Sequence, residues 1–275
     1  MITVIDYLTS RNGGANPLLS ESNLTRLSEN FLRNYGGIDE NLFTFQNPVF
    51  GHHDSSQNNM ESPCFYYDSN MISSAFNNTF SVFSLNVQSI RAKFDQILIF
   101  LESLSEGSYF DVLCLQETWL QDDCDPALVQ IDGYNLILQG KSCCGHGGLA
   151  IYVRDCYSYT HSVSINKSKF WEGLFVKIFF EEKKKEVIVG NVYRPPNSLR
   201  SDMLTFIDEF SELLQSFTRS RKDVIIAGDF NIDLLKLGID SLSLEFVNLC
   251  VSQGFFPKIR LPTRLSGSCA TLIDN

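Results

Sequence analysis

The sequence has no long apolar run. None of its segments approaches the ~18 uninterrupted apolar residues of a membrane-spanning helix. Its first residues, MITVIDYLTSRNGG, have no basic stretch that leads into an apolar core. The sequence therefore signals neither membrane insertion nor secretion. We expect an intracellular protein, nuclear or cytoplasmic, without a membrane partner.

Zinc-binding patterns are also lacking. The eight cysteines include no C-x-x-C pair, and of the four histidines only His52 and His53 are adjacent, while His146 and His161 are isolated. Structural zinc sites draw on closely spaced ligands. We therefore expect no zinc site and, in an intracellular setting, reduced thiols.

Positive charge is scarce. With 22 Lys and Arg against 32 Asp and Glu, the net charge is -10, whereas DNA-binding domains commonly carry a basic surface because phosphate contacts supply most non-specific affinity. The acidity weakens an interpretation as a nucleic-acid enzyme without excluding it, since steering depends on where charges lie. Lys183–Lys185 is better explained as the solvated turn of a β-hairpin than as a basic patch, because its flanks are rich in β-forming residues.

The chain divides into two parts by composition. Residues 1–77 are rich in Asn and Ser, and their only helical pattern, Leu24–Leu32, stops before Gly36 and Gly37. We predict a polar, flexible extension with one short helix. Residues 78–275 alternate between strand and helix patterns, and a chain of this length can bury one large core.

Apolar spacing predicts the elements of the second part. Apolar residues three and four positions apart predict helices over 90–104, 203–217 and 242–250, whereas β-rich runs predict strands at 83–87, 134–138, 149–153, 174–180 and 186–193. Some strands are joined by short turns and others by helical crossovers. This combination implies mixed β-sheets rather than one parallel sheet.

The segment Asp223–Asn231, DVIIAGDFN, is the most informative in the chain. A short apolar strand ends at Gly228, which can turn sharply because it has no Cβ. Alternate strand residues share a face, so Asp229 and Asn231 should point the same way. Such a carboxylate can take a proton from water while the amide holds a phosphate oxygen. Alone, the same residues are also common in turns without any chemistry.

Three further strands end in polar residues. FSLNV carries Asn86, DVLCLQETWL reaches Glu117, and EVIVGNVYRPPN stops at Tyr193 and Arg194. Because sites in α/β sheets form outside the carboxyl ends of strands, the repeated pattern predicts one convergent site. Glu117 is its best metal ligand, since a hard carboxylate oxygen suits Mg²⁺. The alternative role for Glu117 is an N-cap for the following turn.

Six ordered motifs resemble those of the endonuclease/exonuclease/phosphatase superfamily. More narrowly, they look like the apurinic-type endonuclease domain of non-LTR (LINE-like) retrotransposon polyproteins. The resemblance covers about residues 80–275. It is carried by SLNVQSIRAKFD (84–95), LQETWL (115–120), GGLAIYV (147–153), NVYRPPN (191–197), GDFNIDLL (228–235), and PTR (262–264) with ATLIDN (270–275).

The resemblance implies a four-layer sandwich of two mixed β-sheets flanked by helices, in the α/β (α+β) class. It also implies DNA as the substrate and Mg²⁺ as the cofactor, with Mn²⁺ as a substitute. The implied roles are metal binding by Glu117 with Asn86 beside it, water activation by Asp229, orientation of water and phosphate by Asn231, phosphate contact by Tyr193, and orientation of a catalytic histidine by Asp274. Arg194 is a second candidate for a phosphate contact.

In the resembled family, that histidine belongs to a Ser-Asp-His segment some tens of residues beyond the LID motif, whereas this sequence ends at Asn275. We therefore expect residues 78–275 to be a C-terminally truncated domain that lacks its last strand or strands. Three hypotheses follow: a Mg²⁺-dependent nicking endonuclease, a catalytically inactive remnant that acts at most as a binding module, and a phosphatase or phospholipid phosphodiesterase. SLNVQSIRAKFD and LIDN favour the retrotransposon branch over the third.

Overall fold

The computed structural model describes residues 3–6, 80–104, 109–141, 146–165, 170–181, 184–196, 199–266 and 269–275. Of the predicted polar extension, only Thr3–Asp6 falls within these ranges, and it forms a strand, β1, that the composition did not predict. The predicted helix at Leu24–Leu32 lies outside the described residues. That helix and the boundary near residue 77 stay predictions.

One sheet contains five strands in the order β1-β2-β3-β5-β4. After β1, its strands are β2 (Ser81–Asn86), β3 (Val112–Gln116), β4 (Tyr134–Gln139) and β5 (Leu149–Arg154). β2 and β3 run parallel, whereas the other neighbouring pairs are antiparallel. The sheet is therefore mixed, as predicted.

The second sheet contains four strands in sequential order. They are β6 (Ser158–Ile165), β7 (Glu172–Phe180), β8 (Lys185–Tyr193) and β9 (Asp223–Asp229). β7 and β8 form the predicted antiparallel hairpin, and β8 and β9 run parallel. A separate short hairpin joins β10 (Arg264–Ser266) to β11 (Cys269–Thr271).

Three helices lie where the apolar spacing predicts them. They are α1 (Ile90–Glu102), α2 (Arg200–Ser220) and α3 (Ser241–Ser252). α1 connects the parallel strands β2 and β3, and α2 connects β8 and β9, because parallel neighbours need a crossover. Two short 3₁₀ helices span Pro126–Val129 and Leu234–Lys236.

Three apolar cores separate four layers. α1 packs on one face of the first sheet, the two sheets pack against each other, and α2 and α3 cover the second sheet. The core between the sheets includes Val82, Val112 and Ile151 from the first sheet with Leu174, Val189 and Ala227 from the second. The outer cores include Ile90 and Ile97 of α1, and Phe206, Phe210 and Phe246 of α2 and α3. The predicted four-layer sandwich of two mixed sheets is confirmed. Within the described ranges, no helix is long and apolar enough to cross a membrane.

Candidate active site

The polar ends of four strands meet at one edge of the sandwich. β2 ends at Asn86, Glu117 follows β3, β8 ends at Tyr193, and β9 ends at Asp229. The side-chain Nδ2 of Asn86 donates hydrogen bonds to Oε1 of Glu117 at 2.6 Å and to Oδ2 of Asp229 at 2.8 Å. One amide from the first sheet thus links carboxylates from both sheets. The predicted convergence is observed, and the roles of the residues stay predictions.

Glu117 is held in an unusual backbone conformation. Its φ is +53°, and that of Trp119 is +57°, a region that costs non-glycine residues free energy and is common at functional sites. The amides of Thr118 and Trp119 donate to the carbonyls of Gly148 and Gly147 at 3.1 and 2.9 Å. The Trp119 indole Nε1 donates to Oε2 of Glu117 at 3.3 Å. No helix follows Glu117 directly, and side chains engage both of its oxygens, so the N-cap alternative is wrong.

Glu172 is a buried acid that none of the sequence motifs marks. It begins β7 opposite Tyr193, and its Oε2 accepts a hydrogen bond from the Gly148 amide at 2.7 Å. A Cβ on Gly147 would lie 2.6 Å from Oε1 of Glu172, so glycine is needed there. Glu172 therefore fixes the loop whose carbonyls hold the segment after Glu117. The only signal in the sequence is a charged residue that opens an apolar strand.

Tyr193 remains a protonated phenol. Burial raises its pKa above the ordinary tyrosine range, and the neighbouring carboxylates of Glu117 and Asp229 raise it further. Its hydroxyl forms a hydrogen bond with the side chain of Glu117. A neutral phenol beside two carboxylates is a donor, as the predicted phosphate contact requires.

Asp229 has the most perturbed carboxyl group of the site. Burial raises its pKa to about 7, and the Asp274 carboxylate acts in the same direction, while hydrogen bonds from Asn86 and from the Asn231 amide oppose the shift. The preceding Gly228 has no room for a side chain, because a Cβ would lie 1.9 Å from the Val192 carbonyl oxygen. β8 and β9 therefore approach each other closely just before β9 ends at Asp229.

Asn231 lies beside Asp229, but not through strand alternation. It follows the end of β9 with a left-handed φ of +49°. Its amide N–H donates to Oδ1 of Asp229 at 3.0 Å, and its Nδ2 donates to the Arg194 carbonyl at 2.8 Å. The two residues are neighbours, as predicted, but strand alternation is not the cause. Asn231 lies beyond the strand, and a turn brings it next to Asp229.

Arg194 is buried and faces backbone. Its Nε donates to the Phe230 carbonyl and its Nη2 to the Asn231 carbonyl, both at 2.7 Å. Its own amide donates to the Asp229 carbonyl at 2.9 Å. These contacts favour a role in holding the turn at Asn231 over the predicted contact with phosphate.

Asp274 reaches the site on a segment that pairs with the end of β9. Asn275 exchanges backbone hydrogen bonds with Gly228 at 2.7 and 3.0 Å, and Phe230 donates to the Ile273 carbonyl at 3.0 Å. This pairing places Asp274 opposite Asp229 in an antiparallel bridge. Burial raises the pKa of Asp274, and a hydrogen bond with Thr263 opposes the shift. Its orientation of a histidine stays a prediction.

A buried polar network lies next to these residues in the chain. The Gln116 side chain donates to Oδ1 of Asn191 at 2.6 Å and to Oγ of Ser84 at 3.0 Å. Nδ2 of Asn191 donates to the carbonyls of Leu115 and Ala150 in the first sheet at 2.9 and 3.0 Å. The network therefore fixes the second sheet to the first within two residues of Glu117 and Tyr193.

The donor set suits a hard divalent cation. In the described part of the chain, no three His, Cys, Asp or Glu side chains are close enough to hold a metal by themselves. Mg²⁺ needs only one or two carboxylates and keeps several waters. The carboxylates of Glu117 and Asp229 share one amide nitrogen, and burial with the Asp274 carboxylate raises the pKa of Asp229. Oxygen donors of this kind are compatible with a hard divalent cation beside Glu117.

Comparison with known proteins places this chain in a family. Three similar solved structures share less than 20% of their residues with the chain. The human Nocturnin catalytic domain with bound sulfate is 17% identical, with a TM-score of 0.44, and the match covers 58% of this chain and 69% of that one. The AP endonuclease LMAP from Leishmania major is 19% identical, with a TM-score of 0.45 and a match that covers 55% of each chain. The Xenopus laevis APE2 catalytic domain is 18% identical, with a TM-score of 0.46 and a match that covers 62% of this chain and 67% of that one. No curated protein sequence matches significantly. The profile of the Endonuclease/Exonuclease/phosphatase family matches residues 83–265, more than half of the sequence, so the chain belongs to that family.

Proposed function

We propose that this chain is a Mg²⁺-dependent phosphodiesterase that nicks DNA, of the type carried by non-LTR retrotransposon polyproteins. The observation that supports it best is the Asn86 side chain, which joins Glu117 of one sheet to Asp229 of the other. Such an arrangement assembles a metal-binding acid and a candidate base at one point. The six ordered sequence motifs support the retrotransposon type.

Asp229 is the proposed general base. A base works best when its pKa lies near the working pH, and burial with the Asp274 carboxylate raises the pKa of Asp229 to about 7. In its ionised form, Asp229 takes a proton from the water whose oxygen attacks phosphorus. As that P–O bond forms, the ester P–O bond on the opposite side breaks, and the leaving sugar oxygen takes a proton from solvent. The turn fixed by Arg194 holds Asn231 beside Asp229 to orient that water.

Tyr193 and Glu117 act on the phosphate side. The protonated Tyr193 phenol donates a hydrogen bond to a phosphate oxygen, where negative charge develops during displacement. Glu117, with Asn86 beside it, would hold the Mg²⁺. When bound, the cation neutralises charge on the phosphate oxygens. The Trp119 and Asn86 donors keep the Glu117 carboxylate oriented.

A second candidate is an inactive binding module. The inactive module is the expected outcome if the catalytic histidine that Asp274 is expected to orient is missing from the site. Of the described histidines, His146 packs its ring 5.6 Å from that of Trp119, and His161 lies in β6. This candidate predicts that replacement of Glu117 or Asp229 changes no measurable property of the protein other than its stability.

The deciding experiment is a plasmid-nicking assay on the purified chain with Mg²⁺, with Mn²⁺ and with EDTA. Glu117→Gln and Asp229→Asn should each lower the nicking rate by about 100-fold or more, since general-base and charge-stabilising groups contribute on that order. Glu102→Gln, at the exposed end of α1, is the matched control and should nick like the original chain. A folded protein that nicks with neither metal would contradict the proposal. Parallel assays with a phosphomonoester and a phospholipid test the alternative of a phosphatase or phospholipid phosphodiesterase.

A further inference from the structure

A groove opens beside Glu117, between the start of α1 and the segment after β3. Its volume is about 310 Å³, and its lining includes Ser89, Arg91, Trp119, Gln121, Asp123 and Lys141. None of these residues was assigned a role from the sequence. The groove therefore lies next to the candidate active site without being part of its acid cluster.

Trp119 gives the groove an exposed aromatic ring in a fixed orientation. Trp119 is 37% exposed, although large aromatic residues are usually well buried. The hydrogen bond from Nε1 to Glu117 and the edge contact with the His146 ring restrain it. An indole ordered before binding loses little conformational entropy when a flat partner stacks on it. The hydrogen bond also places the indole ring in direct contact with Glu117, the proposed metal ligand.

Arg91 and Lys141 give the groove positive charge. The Arg91 guanidinium donates a hydrogen bond to Sγ of Cys124 at 3.4 Å, and both residues line the groove. The Lys141 amide donates to the Leu120 carbonyl at 2.8 Å, which fixes the start of its side chain. The Asp123 carboxylate also lines the groove. A bound anion should therefore lie near Arg91 and Lys141 and away from Asp123. Two cations beside an aromatic ring suit a phosphate attached to a base.

We propose that this groove binds the nucleotide next to the scissile phosphate, with an unpaired base stacked on Trp119 and a phosphate beside Arg91 and Lys141. This inference rests on the proposed function, because the scissile phosphate is defined by the acid cluster. Stacking requires a base whose face is free. The site therefore selects single-stranded or locally opened DNA over a fully paired duplex.

The two tryptophans allow a direct test. Trp119 and Trp171 are the only tryptophans in the chain, and Trp171 is 1% exposed within the core under α2. A short single-stranded oligodeoxynucleotide, added to the full chain in EDTA to prevent cleavage, should quench tryptophan emission by stacking on Trp119. The matching duplex should quench it much less. Trp119→Phe should keep the Trp171 emission and lose the quenching.

Affinity provides the second measurement. Anisotropy of a labelled single strand should show binding weakened by about 5- to 150-fold in Trp119→Ala, the range reported by alanine replacement of stacking aromatics. Trp119→Phe keeps a ring and should retain most of the affinity. Leu128→Ala, which truncates another exposed apolar side chain, is the matched control and should bind normally. If Trp119→Ala fails to fold, the comparison of Trp119→Phe with the original chain still decides through quenching.

The outcomes separate this inference from the proposed function. A chain that nicks plasmid but shows no quenching, or whose Trp119→Ala variant binds single strands with unchanged affinity, would overturn the inference alone. Equal quenching by duplex and single strand would also overturn it. Quenching by a single strand in a chain that never nicks would support the groove and contradict the nuclease proposal.

Discussion

The side-chain amide of Gln116 donates a 2.6 Å hydrogen bond to Oδ1 of Asn191, and both side chains are fully buried between the two sheets. Gln116 immediately precedes Glu117, and Asn191 lies two residues before Tyr193. A shift of one sheet over the other would break this bond and separate the residues of the candidate active site. The pair is therefore expected to matter for both stability and activity.

Replacement of one partner should cost more than replacement of both. In Asn191→Leu, the Leu115 and Ala150 carbonyls lose a buried donor. The Gln116 amide loses its shortest hydrogen bond but keeps those to the Ser84 hydroxyl and the Cys114 carbonyl. We therefore expect a loss of about 1–3 kcal/mol in the free energy of unfolding. Gln116→Leu with Asn191→Leu should recover part of that loss. Urea denaturation of both single variants and the double variant measures the coupling. Strict additivity would show that the bond contributes nothing specific.

Gly228 should tolerate no side chain. In Gly228→Ala the new Cβ would lie 1.9 Å from the Val192 carbonyl oxygen, which forces β8 and β9 apart. We expect a destabilisation of about 3 kcal/mol or more, or an insoluble protein. Gly238→Ala meets no atom within 4 Å and serves as the control, with a change of less than about 1 kcal/mol. Equal melting temperatures for the two variants would contradict the prediction.

Asp229 should make the metal-free protein less stable as pH rises. Its folded pKa of about 7 lies above the value of about 3.9 for an unfolded aspartate. Between these values the native state binds more protons than the unfolded state, so stability falls with pH by up to about 1.4 kcal/mol per unit, and the loss is complete above the folded pKa. Asp229→Asn should remove much of this slope in EDTA. Denaturation at several pH values tests it, with Asp208→Asn on the exposed face of α2 as the control.

Arg194 should act on the rate of cleavage rather than on the salt dependence of DNA binding. Its guanidinium donates to the Phe230 and Asn231 carbonyls, so Arg194→Gln should disturb the turn and slow nicking by about 10- to 100-fold. The slope of log affinity against log salt should stay unchanged. Arg91→Gln, in the exposed groove, should lower that slope for a single strand by about 0.7, the amount expected for one phosphate contact. A reduced slope in Arg194→Gln would restore the phosphate contact predicted from the sequence.

Local patterns predicted most of the fold. The helices α1, α2 and α3 carry apolar residues at spacings of three and four, and the hairpin of β7 and β8 has a charged turn between apolar runs. These signals depend on residues close in the chain, which is why they were readable. The convergence of Asn86, Glu117, Tyr193 and Asp229 was predicted too, because polar residues follow apolar strands at each position.

Other features depend on contacts between distant segments. Glu172 holds Gly148, which in turn holds the segment after Glu117, and no local pattern encodes that chain of contacts. Arg194 was expected at phosphate because it follows Tyr193, whereas its partners are carbonyls 36 and 37 residues away. The left-handed turn at Asn231 is also set by these contacts. Side-chain partners of this kind become visible only once the sheets are packed together.

The pairing of Ile273–Asn275 with the end of β9 makes local opening a process distinct from global unfolding. If that short strip detaches, the Gly228 and Phe230 amides lose their acceptors and exchange with solvent, while the ladders of both sheets remain closed. Burial is the main cause of the raised pKa of Asp229, and the Asp274 carboxylate adds to it. Detachment removes Asp274 and opens Asp229 to solvent, and both changes lower that pKa. The proton affinity of Asp229 therefore reports whether the strip is docked.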